Sequence, residues 1–79
     1  MRRYQPHDIL DLGCGTGEIT VRMAQLFPEA RITGVDIIRS HLELAREKAA
    51  PFGDRVKFQE GDAFELPFAA ASFDLVVCR

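Results

Sequence analysis

The stretch ILDLGCGTGE, residues 9–18, sets glycines at 13, 15 and 17 directly behind an apolar run. Residues without a β-carbon let the backbone approach a ligand closely and adopt left-handed dihedrals that side chains resist. A strand that ends in such a turn and opens a helix aims main-chain N–H groups at whatever lies above it. A plain strand-to-helix turn needs only one glycine, so Gly13, Gly15 and Gly17 together point to a bound ligand. The second residue able to do chemistry is Asp36, nineteen positions beyond Gly17, at the end of RITGVD. There an acidic side chain can accept hydrogen bonds from both hydroxyls of a ribose. Loop and aspartate together predict an adenosine-bearing ligand.

These residues need elements to hold them, and the apolar pattern supplies candidates. His7–Leu12 reads as a first strand. From Glu18 to Phe27 the apolar residues Ile19, Met23, Leu26 and Phe27 recur at helical spacing, and Pro28 closes that helix. Arg31–Asp36 is short and β-branched, a second strand. Ser40-His41-Leu42-Glu43 has the form of a capping box and opens a helix running to about Ala50, with Leu42, Ala45 and Ala49 facing inward. Pro51 and Gly53 end it. Val56–Glu60 and Phe73–Cys78 read as third and fourth strands. Strand-helix alternation predicts an α/β fold, a Rossmann-like parallel sheet with two right-handed crossover helices.

The last connection differs. Ala63–Ser72 carries Pro67 and no helical period. In strand order 3-2-1-4 it must cross two strands, roughly 14 Å sideways, and climb back about 17–20 Å. Its extended reach is roughly 33–36 Å, so a nearly taut link is expected.

Two cofactor classes use such a loop, nicotinamide dinucleotides and S-adenosylmethionine, and Asp36 suits the ribose of either. The dinucleotide fingerprint is G-x-G-x-x-G. Here Glu18 holds the third glycine's place and Gly17 falls one residue early. A glutamate at that helix start would repel a pyrophosphate.

DILDLGCGTGEIT, ITGVDIIRSHLELAREKA, VKFQEGDAFELPF and SFDLVVCR together resemble the first four strands of a class I S-adenosylmethionine-dependent methyltransferase. The similarity is nearest to the ubiquinone- and menaquinone-biosynthesis type. It implies a cofactor, S-adenosyl-L-methionine, and a small-molecule methyl acceptor. It also implies roles by position. Asp11 matches the family's acidic residue at the loop, suited to a cofactor with an ammonium and a cationic sulfur. The backbone of Gly13, Cys14, Gly15, Thr16 and Gly17 would face the methionine portion. Asp36 would hold the ribose, Ile37 would pack on the adenine face, and Asp62 with Ala63 would meet the adenine edge. Cys78 would border the methionine pocket. No residue takes the role of a catalytic base. Two departures stand out. Ile38 occupies a position where the family often has serine, and Cys78-Arg79 replaces the D/N-P-P-[YF] of nucleic-acid and glutamine methyltransferases.

Composition narrows the field further. A net charge of −2 and a pI near 5.6 offer no electrostatic footprint for nucleic acid. No apolar run approaches the roughly 20 residues of a membrane span, and MRRYQPHDIL has no apolar core of a signal peptide. His7, His41, Cys14 and Cys78 match no metal-ligand spacing. His7 and His41 read as solvated or capping residues, and Arg39, Arg46 and Lys48 as a solvated helix face. Phe64, Phe68 and Phe73 read as packing for the taut link. The expected setting is cytoplasmic. The chain stops on the apolar run Leu75-Val76-Val77, which predicts that residues 1–79 are the cofactor-binding N-terminal half of a domain. That half would self-associate through its uncovered fourth strand.

Overall fold

The computed structural model of the chain describes residues 5–62 and 72–78. Four strands, β1 (Asp8–Leu12), β2 (Arg31–Asp36), β3 (Val56–Glu60) and β4 (Leu75–Cys78), form one parallel sheet in the order β3-β2-β1-β4. The expected α/β architecture and strand order are both present. Ala63, Phe64, Phe68 and all of the taut link except Ser72 lie outside the described residues.

Helices α1 (Glu18–Leu26) and α2 (Arg39–Ala49) pack on one face of the sheet. Because strand residues alternate in direction, β1 sends Ile9 to the helices and Leu10 and Leu12 to the opposite face. Ile9 joins Ile32, Val56 and Phe58 beneath Met23, Leu42 and Ala45. On the opposite face Leu10 and Leu12 meet Val35, with Phe73 packed against them. A strand buried on both faces must be apolar at nearly every position, and β1 satisfies this except at Asp8, its half-buried first residue, and at Asp11.

The inward residues of α2 are those expected, Leu42, Ala45 and Ala49. On α1 the register differs from the sequence reading. The buried residues are Thr20, Met23 and Ala24, while Ile19 and Leu26 are 46% and 61% exposed. Small side chains at Thr20 and Ala24 let the helix lie close to the sheet, and close approach outweighs raw apolarity.

The start of α2 corrects the capping box. The helix opens at Arg39, one residue before Ser40, and no side chain caps it at Ile38. Instead the Ile38 N–H donates to Asp36 Oδ1 at 2.9 Å. Its C-terminal end runs into a 3-10 turn, Ala50–Arg55, in which Gly53 takes φ 62°. From that turn the Arg55 guanidinium donates to the carbonyls of Ala24, Phe27 and Ala30. Helix α1 has no basic residue in its last turn, so Arg55 supplies donors to carbonyls at and just beyond its C-terminal end. The three α2 cations also find partners. Arg39 pairs with Glu60, Lys48 with Glu18, and Arg46 donates to the Phe58 carbonyl on the edge strand β3.

Candidate functional site

The glycine loop is anchored before it turns. The N–H groups of Gly13 and Cys14 both donate to the Val35 carbonyl, at 2.8 and 3.1 Å, drawing the chain across the end of β2. Gly13, Gly15 and Gly17 all lie at positive φ, at 73°, 58° and 92°. Two of them have different reasons to lack a β-carbon. At Gly15 a Cβ would meet nothing within 4 Å, so this is where the loop backbone is open to a ligand. At Gly17 a Cβ would stand 2.9 Å from Ala45 Cβ of α2. The third glycine therefore lets helix pack on helix, a role the sequence reading assigned to ligand approach.

Asp36 ends β2 and sits where the loop passes. Its Oδ2 accepts from the Gly15 N–H at 2.8 Å and its Oδ1 from the Ile38 N–H. The carboxylate is 11% exposed. It staples the loop to the start of α2 and keeps about two of its four acceptor positions. Beside it a cavity of about 220 Å³ is lined by Leu12, Gly13, Val35, Asp36, Ile37, Gly61 and Asp62. Gly61 is held there by its N–H, which donates to the Asp36 carbonyl at 3.0 Å. The fold thus gathers Gly13, Asp36, Ile37 and Asp62 from three strand ends into one hollow. Among the described residues its lining holds two carboxylates and no lysine or arginine.

Other expected site residues fall elsewhere. Asp11 is fully buried, and the Thr20 hydroxyl of α1 donates to its Oδ2 at 2.6 Å. That contact ties the loop's first strand to the helix behind it. Cys14 is buried, with its sulfur beside Gly34 of β2, on the side of β1 away from β4. Cys78 is exposed at the end of β4 and is not among the cavity's lining residues, and the Cys14 thiol donates to the Gly15 carbonyl at 3.8 Å. Thr16 donates its hydroxyl to the Glu18 carboxylate. That bond, then Lys48, holds the Glu18 carboxyl down to about 2. Ala63 lies outside the described residues. Among the described residues no cluster of His, Cys, Asp or Glu could hold a metal ion.

A larger hollow, about 530 Å³, opens at the other end of the sheet beside Asp8, Arg31, Thr33 and Lys57. Size does not make it the site. It has neither the glycine loop nor an anchored acceptor, and ligands in open α/β sheets bind at the carboxyl ends of strands.

Several residues here carried no signal in the sequence. Thr20 read as an ordinary helix position until α1 packs against Asp11, and Ala45, expected to face inward, gave no sign that it would meet Gly17. Asp74 read only as a residue of the fourth strand, yet its carboxylate accepts from the N–H groups of His7 and Asp8 at 2.9 and 3.0 Å. His41 read as a solvated or capping residue, and its Nδ1 lies 3.8 Å from Asp36 Oδ1.

Residues 9–79 match the family described as methyltransferase domain. A demethylmenaquinone methyltransferase of Deinococcus radiodurans is 39% identical over 75 residues, covering 95% of this chain and 31% of that protein. Among solved structures, the [4+2]-cyclase SpnF superposes with a TM-score of 0.82 at 31% identity, over 91% of this chain and 27% of its own. PKMT2 from Rickettsia typhi, solved in complex with AdoHcy, superposes with a TM-score of 0.77 at 26% identity, over 91% of this chain and 14% of its own. The chain spans about a third of the length of the curated relatives it matches.

Proposed function

The chain belongs to the methyltransferase domain family, and on that premise we propose that it binds S-adenosylmethionine as part of an enzyme that methylates a small molecule. The observation that carries this reading is the cavity beside Asp36. Its anchored carboxylate offers acceptors to a ribose diol, and Leu12, Val35 and Ile37 offer apolar contact for a base. Asp62 offers a second acceptor for an exocyclic amine. Two aspartates, with no lysine or arginine beside them in the described lining, suit a cofactor bearing positive charge and disfavour a pyrophosphate.

When bound, the cofactor supplies an electrophilic methyl group on a cationic sulfur. The residues of this chain bind and orient it, which is the larger part of an in-line transfer. The small-molecule acceptor is supported by the relative named a demethylmenaquinone methyltransferase. The 79 residues hold the cofactor and do not complete the transfer alone, a reading supported by their match to about a third of such relatives. Steady-state methyl transfer at enzyme-like rates by this chain would overturn it. Among the described strands β4 has a neighbour on one side only, and Val76 is 44% exposed. Both features support self-association along that edge, which a monomer in sedimentation would exclude. Neither described helix is long and apolar enough to cross a membrane, and a cytoplasmic setting is our reading.

Calorimetric titration with S-adenosylhomocysteine, with NAD as control, tests the assignment. Binding of the sulfur ligand that disappears in Asp36→Ala is expected. Binding of NAD in its place would return the chain to the dinucleotide class. A second reading, cofactor binding without methyl transfer, is supported by the likeness to a protein named as a cyclase, because fold does not settle reaction.

A further inference from the structure

His41 is the third residue of α2, and one edge of its ring turns back toward the end of β2. Its Nδ1 lies 3.8 Å from Asp36 Oδ1, too far for a hydrogen bond. That nitrogen is shielded from solvent and has no hydrogen-bond partner among the described residues, although 40% of the side chain is exposed. Buried nitrogens are seldom left without a partner, because desolvating one is costly. The acceptor that faces it across this gap is the carboxylate that the main chain already grips, at Oδ1 by the Ile38 N–H and at Oδ2 by the Gly15 N–H. Closing the gap to hydrogen-bonding distance takes about 0.8 Å of ring movement.

A carboxylate that receives a diol meets new donors. Hydroxyls arriving from the cavity compete with the Gly15 N–H for Oδ2, and the carboxylate needs another hold to keep its orientation. We propose that His41 is the positioning residue for ribose recognition: its Nδ1–H closes onto Asp36 Oδ1 and fixes the carboxylate toward the ribose hydroxyls. The proton is assigned to Nδ1 because the neighbouring group is an acceptor. This inference rests on the reading of Asp36 as the residue that holds the ribose.

The test titrates S-adenosylhomocysteine and its 2′-deoxy analogue into the wild-type chain and into His41→Leu, His41→Asn and His41→Gln. An asparagine amide can place a nitrogen where Nδ1 stands, whereas a glutamine amide reaches the Nε2 position. His41→Leu is expected to weaken the natural ligand by about 5–10-fold, the size of one hydrogen bond to a charged group. His41→Asn should recover most of that loss and His41→Gln should not. With the 2′-deoxy analogue, wild type and His41→Leu should bind within about twofold of each other, well inside one hydrogen bond's worth of affinity. Equal affinities for Asn and Gln variants would overturn the proposal, and so would an equal loss with both ligands. The Asn–Gln comparison stands even if His41→Leu fails to fold. If the wild type binds and Asp36→Ala does not, unchanged affinity in the His41 variants sinks the role of His41 alone. If the wild type does not bind, or Asp36→Ala binds as well as it does, the ribose reading falls and takes this inference with it.

Discussion

Asp36 and Asp74 do the same backbone chemistry at opposite ends of the sheet. Each carboxylate accepts two main-chain N–H groups, Gly15 and Ile38 for one, His7 and Asp8 for the other. Their surroundings differ. Asp74 sits at the exposed start of β4, where its own N–H also donates to the Asp8 carbonyl, and it latches β4 onto β1. Asp36 sits at the strand C-termini beside a cavity, an open glycine and a histidine nitrogen without a hydrogen-bond partner among the described residues. One aspartate closes a sheet, while the other closes a loop and still faces a hollow. Two N–H contacts to a carboxylate therefore do not mark a binding residue. What separates Asp36 from Asp74 is leftover acceptor capacity facing a cavity.

Replacing each aspartate by asparagine breaks the comparison most directly. Asp36→Asn should weaken S-adenosylhomocysteine by about 1,000-fold, the worth of two hydrogen bonds to a charged acceptor. Asp74→Asn should leave the affinity of the folded chain within about twofold, because no hydrogen bond to the ligand is removed. Equal losses in calorimetry would show that Asp36 acts only as a staple.

The next contrast lies within the loop. Gly17→Ala should cost about 2–3 kcal/mol of stability, because left-handed strain adds to a 2.9 Å approach to Ala45. Gly15→Ala carries strain without the clash and should cost about 1–2 kcal/mol. Urea unfolding of the two variants measures the difference. Reversal of their order would return the third glycine to the ligand.

At the other end of the sheet, Arg55→Met should cost about 1–2 kcal/mol by leaving the carbonyls of Ala24, Phe27 and Ala30 short of donors. Affinity of the folded chain should not change. Urea unfolding with and without ligand checks both halves of that statement.

The smallest effect is one of pH. Donation from the His7 and Asp8 N–H groups holds the Asp74 carboxyl below its ordinary 3.8. A carboxyl depressed by folding stabilises the fold above its unfolded value, and that contribution is lost as pH falls through its folded value. The stability gap between wild type and Asp74→Asn should therefore shrink as pH drops below about 4. Glu18, held to about 2 mainly by Thr16, has the same sign and should leave a residual acid slope in both chains. A gap that widened toward low pH would contradict the latch.

The sheet order was legible because connectivity and strand twist allow few alternatives once apolar runs alternate with helical spacing. The boundaries of β3 were legible too, since Pro51 and Gly53 end α2 and Gly61 follows the strand. Registers set by packing were not. The inward face of α1 follows Thr20 and Ala24, small residues whose value lies in how near they let the helix come. Ser40 looked like a cap because the capping pattern is local, but the acceptor that holds Ile38 came from the preceding strand.

The sequence by itself determined the strand-loop-helix unit, the three positive-φ glycines and the placing of an acid at the end of β2. These follow from local sterics and from a period that any chain must obey. Tertiary structure alone decided what each of those residues is for. It set Gly17 against Ala45, buried Asp11 under Thr20, turned Cys14 toward Gly34 and brought His41 to Asp36. A side chain's role depends on what stands opposite it, and opposition across helices and strands is a property of packing.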